Sequence, residues 1–110
     1  MLVKDLLKID ELKLVVEGDM NQNVSSGYMG DLLSVVMGNA EEEQVWITIQ
    51  SHVNIVAVAS LRAVSAIIIA HGFEPDEDTV ESAKEENIPI FTTELDPFAI
   101  AKKLVLELGL

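Results

Sequence analysis

Cysteine is absent from this chain of 110 residues. That absence removes disulfide frameworks, iron–sulfur clusters and thiolate zinc sites at a stroke. Positive charge is scarce: Lys4, Lys8, Lys13, Arg62, Lys84, Lys102 and Lys103 stand against 19 acidic residues, for a net charge of −12. Those seven are scattered, so no basic stripe exists to draw in a phosphate backbone, and nucleic-acid binding is excluded as an expectation. Aromatic residues make up only 5% of the chain, which leaves Val, Ile, Leu and Ala to build the core. Long hydrophobic runs are missing too. The longest, Ile55 to Ala59 and Ala66 to Ala70, have five residues each, far short of a membrane span. The opening "MLVKDLLKIDELK" interleaves charges with apolar positions and has no signal-peptide core, so a cytoplasmic location is expected. Neither GxGxxG nor GxxxxGK[ST] occurs, and standard nucleotide loops are therefore lacking.

What remains is an ordinary globular composition, 49% hydrophobic and 24% charged, of a length that suits one domain, 1–110. A mean hydropathy of +0.31 is high for so small a domain and points to surplus apolar surface of the kind buried between subunits. Val3 to Leu7 suits one or two helical turns, and Leu12 to Glu17 reads as a strand. "GDMNQNVSSG", residues 18 to 27, reads as a loop. Gly30 to Met37 suggests a short helix with Leu32, Leu33, Val35 and Val36 inward, stopped by Gly38 and Asn39.

From Val45 the pattern becomes regular. Val45 to Ile49, Ala66 to Ala70 and Ile88 to Thr93 read as strands. Between and after them come helices over Asn54 to Val64, Asp76 to Asn87 and a segment opened by Asp96-Pro97. In the last, Ile100, Ala101, Leu104, Val105 and Leu108 share a face, and Lys102 and Lys103 lie toward the negative end of the helix dipole. The expected fold class is α/β, a mostly parallel β-sheet with right-handed crossover helices in two or three layers. Helix 54–64 is apolar on nearly every side, with Asn54 as its expected N-cap. Either another element lies over it or a second subunit does; a homodimer through this helix is the simpler answer, with Ala57, Ala59 and Ala63 permitting close approach.

Ligands of open parallel sheets bind beyond the carboxyl ends of the strands. Three turns reach that edge: Gln50-Ser51-His52-Val53-Asn54, His71-Gly72-Phe73 and Thr92-Thr93-Glu94. The segment with Ser25, Ser26, Gly27 and Tyr28, followed by Asp31, is expected to fold against them. The candidate ligand-binding residues are therefore Asp31, Gln50, His52, Asn54, His71, Gly72 and Thr92. Capping, for Asn54, and backbone satisfaction, for Thr92 and Thr93, are the structural alternatives. As metal ligands His52 and His71 would need a third partner such as Asp31 or Glu94, which the spacing does not supply. Ser51 beside His52 is adjacency in sequence and makes no catalytic dyad, so no catalytic residue is assigned.

"VSSGYMGDLLSVVM", "WITIQSHVNIVAVASL", "AIIIAHG" and "PDEDTVESAKEENIPIFTTELDPF" together resemble a DRTGG domain, in matching order from about Val24 onward. The second half is also similar to the N-terminal domain of HPr kinase, most closely at "EENIPIFTT". The family's Asp-Arg element falls near "QSHVNI", where His52 stands in place of the arginine. Its Thr-Gly-Gly element falls on Ala70-His71-Gly72, of which Gly72 alone matches. The resemblance implies an α/β accessory domain, often self-associating and without established catalysis. Such domains stand alone or beside CBS-domain pairs, phosphotransacetylases and pyrophosphatases, and short members accompany redox enzymes of anaerobes. The expected function is a homodimeric regulatory or ligand-sensing module for a nucleotide or phosphorylated metabolite, with no cofactor identified. The alternatives are a structural interaction subunit of a redox-enzyme system and a small hydrolase or transferase using His52 and His71.

Overall fold

The computed structural model describes all residues, Met1 to Leu110. A five-stranded sheet in the order β1-β5-β4-β3-β2 forms its middle layer. Its strands are β1 (Lys13–Val16), β2 (Ser26–Met29), β3 (Gln44–Thr48), β4 (Ala66–Ile69) and β5 (Ile90–Thr92). β2, β3, β4 and β5 are mutually parallel, while β1 runs antiparallel to β5, with a bulge between Leu14 and Val16. The helices are α1 (Leu33–Asn39), α2 (Asn54–Arg62), α3 (Glu77–Glu85) and α4 (Pro97–Leu108), preceded by a 3-10 helix over Val3–Lys8. No helix is long and apolar enough to cross a membrane.

Every residue of β4 is buried, as its β-branched run requires when both faces of the strand are covered. Side chains alternate between the two faces of the sheet. Trp46, Ile67, Ile69 and Ile90 join one core beneath α1, α2 and α3, whereas Val45, Ile47, Ile68 and Phe91 join a second beneath α4 and the 3-10 helix. The domain thus has three layers. On the first face α1 packs on α2, α2 on α3, and α3 reaches β1, so the helices follow the strand order and α1 lies over the β2 side.

Four local expectations are corrected. β2 begins at Ser26, inside the segment read as loop; its hydrogen-bonded neighbour β3 stabilises a strand that composition alone does not. In α1 only Val36 is buried, and Leu32 and Val35, read as inward, are exposed, because so short a helix covers the sheet with a single turn. Asn54 is the first residue of α2 and not its cap: Val53 holds the cap position in αR geometry, with no side-chain hydrogen bond. The apolar surplus of α2 is taken up largely within the chain, since Ile55, Val56, Val58 and Ala59 are buried in the first core. Ala59 is therefore not free for contact with a second copy. Ala57, Ser60 and Leu61 remain on the outside.

Asp96 caps α4 as its sequence predicts, accepting a hydrogen bond from the Ala99 amide at 2.8 Å, with Pro97 at the first helical position. Ile100 and Leu104 enter the second core, but Val105, expected on the same face, is exposed. Lys103 bonds Glu107 at 2.9 Å one turn on and Glu11 at 3.1 Å, tying α4 to the segment before β1.

Candidate functional site

The carboxyl ends of β2, β3, β4 and β5 open on one edge of the sheet. After β2 the chain turns so that Asp31 Oδ1 accepts from Thr48 Oγ1 at 3.0 Å and from the Ile49 amide at 2.9 Å. Gln50 returns the contact: its Nε2 donates to the Asp31 carbonyl at 2.9 Å, and its own amide donates to Thr48 Oγ1 at 3.2 Å. Thr48 is fully buried, so its hydroxyl is a fixed hinge between the two turns. Asp31 and Gln50 are brought together as expected, with Thr48 as the partner that sequence reading did not single out.

Beyond Gln50 the chain climbs into α2. The amides of Ser51, His52 and Val53 donate to no group of the protein, and no side chain caps the helix. A helix start left open in this way concentrates unsatisfied N–H groups and the positive end of the helix dipole. The Ser51 carbonyl, in contrast, is held twice, by the Asp76 amide at 3.1 Å and by Thr79 Oγ1 at 2.8 Å. His52 lies outermost, its Nδ1 3.0 Å from Asp76 Oδ2. A carboxylate at Nδ1 favours the proton there and leaves Nε2 as an exposed acceptor. Asp76 occupies the N-cap position of α3 yet gives that helix no side-chain cap. Its carboxylate is used on His52 instead.

His71 and Gly72 follow β4 in left-handed backbone conformations, with φ of 68° and 77°. Their amides bond the carbonyls of Leu95 at 2.8 Å and Thr93 at 3.0 Å, which locks the β4 turn to the β5 turn. A side chain at position 72 would begin 2.7 Å from Glu94 Oε2, so glycine suits both the torsion and the space. The His71 ring makes an edge contact with Phe73, centroids 6.2 Å apart, and shares no hydrogen bond with His52. A polar cavity of about 160 Å³ next to this turn is lined by Glu11, Lys13, Gly72, Glu74, Thr92, Thr93 and Glu94. The structure therefore distributes the candidate residues over three neighbourhoods: Asp31 with Gln50, His52 with Asp76, and His71 and Gly72 with the Thr92 turn. Asn54 falls instead in a cavity of about 430 Å³ between α2 and α3, with Ala57, Ser82 and Glu86. No three His, Asp or Glu side chains converge in a way that could hold a metal ion.

Ser25 and Ser26, expected to fold against this edge, lie at the opposite end of the sheet. The Ser25 amide donates to the Glu43 carbonyl at 2.8 Å, and Ser26 Oγ accepts from Gln44 Nε2 at 3.1 Å, both at the start of β3. Because Ser26 opens β2 in parallel with Gln44, the length of the strand separates it from the Asp31 turn. Asp76 and Thr79, which build the His52 turn, carry no sequence signal beyond an acid and a threonine at the start of a helix.

An open, mostly parallel sheet covered on both faces, with its turns cross-bonded at the carboxyl edge, defines a small three-layer α/β domain. The chain belongs to the DRTGG domain family, whose profile matches residues 1–106 and so takes in the segment before Val24 as well. It is also similar in fold to a crystal structure of the CBS and DRTGG domains of the regulatory region of Clostridium perfringens pyrophosphatase, complexed with the activator diadenosine tetraphosphate. Identity is 21% and the TM-score 0.66, over 94% of this chain and 44% of that one. The chain thus spans less than half the length of the chain it matches. No curated protein gives a significant sequence match.

Proposed function

We propose that this DRTGG domain is a regulatory, ligand-sensing module that acts as a homodimer and binds an anionic nucleotide or phosphorylated metabolite at the carboxyl edge of its sheet. The observation that carries the reading is the open start of α2, where the amides of Ser51, His52 and Val53 have no protein acceptor. Amides so arranged suit phosphate oxygens, and they are the main source of attraction for an anion on a chain of net charge −12. Gln50, held by Asp31, and His52, held by Asp76, offer hydrogen bonds for a base or sugar beside them. The activator complex of the pyrophosphatase regulatory region supports a nucleotide over other anions. Binding there would act by favouring one arrangement of the turns and of a partner surface, with no bond chemistry.

Thermal-shift screening of adenine and guanine nucleotides, dinucleoside polyphosphates and phosphorylated metabolites tests this directly. A ligand at a hundred times its dissociation constant adds about 2.7 kcal/mol of stability. The expected outcome is a saturable rise in Tm that is lost in His52→Ala and Gln50→Ala. Silence across the panel, or a rise that both variants retain, sinks the assignment of the edge.

A further inference from the structure

The polar cavity beside the β4 turn is walled by groups that the fold leaves unspent. Lys13 and Thr92 face each other across the β1–β5 pair, so their side chains emerge as neighbours on one face of the sheet. Glu11, Glu74 and Glu94 line the same cavity. Glu11 is taken by Lys103 at 3.1 Å, but none of the chain's ion pairs uses Lys13, Glu74 or Glu94. The Glu94 carboxylate is folded over the β4 turn. Its Oε2 lies 2.7 Å from where a side chain at position 72 would begin, and the left-handed glycine leaves it that room.

Thr92 is the sharper observation. It is 5% exposed, and Thr93 beside it 4%. Thr93 Oγ1 accepts from the Leu95 amide at 3.2 Å, the backbone-satisfying role expected of both. The Thr92 hydroxyl bonds no group of the protein. No sealed side-chain oxygen or nitrogen of the chain lacks a partner, so this hydroxyl opens on the cavity that Thr92 lines. A threonine so deeply buried, with its polar atom turned to a polar cavity and unpartnered, calls for a partner from outside the chain.

Charge and size then limit that partner. A metal ion does not fit, since no three acidic or histidine side chains converge. A purely anionic ligand meets two free carboxylates for one lysine. The volume of about 160 Å³ is below the roughly 300–1,000 Å³ of pockets for drug-sized molecules. What suits the cavity is a small molecule with a positive and a negative group together.

We propose that this cavity binds a small free α-amino acid, its ammonium group between the Glu94 carboxylate and the Thr92 hydroxyl and its carboxylate on Lys13. An ammonium group donates three hydrogen bonds, and Glu74 supplies a further acceptor. The two free carboxylates disfavour an acidic side chain on the ligand, so glycine, alanine and serine suit the site better than aspartate or glutamate. The site takes a different chemical class from the open start of α2, uses other residues, and stands or falls without it. Because the cavity touches the start of β1, the β4 turn and the β5 turn, occupancy ties the three together.

Titration of the labelled full chain with glycine, L-alanine and L-serine, followed by amide NMR shifts and calorimetry, is the test. Saturable shifts are expected at Gly72, Thr92, Thr93 and Glu94, with Ser51, His52 and Val53 unmoved. Ethylamine and propionate each carry one of alanine's two charged groups and are expected to bind more weakly by on the order of tenfold or more. Thr92→Val keeps the shape and removes the hydroxyl, while Glu94→Gln and Lys13→Met each remove a charge at an exposed position. Each is expected to weaken alanine binding by on the order of tenfold, with circular dichroism unchanged. The absence of saturable shifts for all three amino acids, or shifts confined to Ser51–Val53, overturns the site. So does alanine binding that survives both Glu94→Gln and Lys13→Met, whether or not Thr92→Val folds. Ethylamine binding as tight as alanine's overturns the amino-acid assignment.

Discussion

Ala63 and Gly72 hold the same left-handed backbone with opposite residues for the purpose. Ala63 ends α2 at φ 55° and is exposed. The left-handed torsion costs an L-residue about 1–2 kcal/mol, and glycine gives back part of that in unfolded-state entropy. Ala63→Gly is therefore expected to stabilise the domain by about 0.5–1 kcal/mol in denaturant melts. Gly72→Ala runs the other way: Glu94 is exposed and can swing aside, so torsion decides, and a loss of about 1–2 kcal/mol is expected. An unchanged midpoint in either variant would remove the torsional account. Residue chemistry is also where sequence reading was least reliable. Asn54 followed the usual preference for a cap, but Val53 before it is already helical, and the cap position passed to a residue with nothing to offer. Asp76 holds the cap position of α3, yet His52, distant in sequence, takes its carboxylate. Such tertiary partners leave no trace in local spacing.

Elements were legible where periodicity and end signals agreed. α4 is the clear case, since Asp96, Pro97 and a repeated apolar face all mark the same helix. Asp96→Ala should cost about 1 kcal/mol and lower the Tm accordingly, the Ala99 amide losing its acceptor. β2 was missed because Ser and Gly dominate its start and its stability comes from β3. The antiparallel course of β1 was equally unreadable, as direction depends on the neighbour and not on the strand. The ties between elements also set a pH dependence. The Leu2 amide, and then Lys8, hold the Asp5 carboxyl below its usual range, and Lys103 does the same for Glu11. Their contribution is thus present above the ordinary carboxylate range and lost as pH falls through the lowered values. Lys103 is raised, by Glu107 first and Glu11 next. Its share is present below the ordinary lysine range and disappears as pH climbs through the raised value. Urea melts across pH should show both limbs, and Lys103→Met should flatten the alkaline limb and reduce the acid one. All three groups remain in contact with solvent, Asp5 and Lys103 half-buried and Glu11 exposed, so the limbs will be shallow.

For the whole molecule, the alternation of strands and helices from Val45 onward was enough to give a mostly parallel α/β sheet, and the likeness in fold to the pyrophosphatase regulatory region agrees with it. The arrangement of the carboxyl edge was legible only in part. Turns after parallel strands must meet there, which placed Asp31 beside Gln50, but Ser25 and Ser26 belong to the other end because β2 was not recognised as a strand. Charge acts at this scale too. With 19 acidic residues against seven basic ones, folding compresses like charges into a smaller volume. Added neutral salt is expected to raise the Tm by several degrees as the screening length falls from about 30 Å at 0.01 M to about 8 Å at 0.15 M. A Tm that is flat or falling over that range would mean that self-repulsion is not a significant term.

The pairing of β1 with β5 also governs when this fold can come into being. Lys13 pairs with Thr92 and Val16 with Ile90, so the first strand to be synthesised waits for the last. A ribosome releasing the chain exposes β1, and then the side of β4, before the strand that joins them has emerged. Closure across nearly the full sequence makes for slow, cooperative folding, and a chain cut short between β4 and Ile90 is left with β1 unpaired and one border of β4 open. Truncation at the third helix should therefore yield a protease-sensitive, aggregating product instead of a smaller native domain.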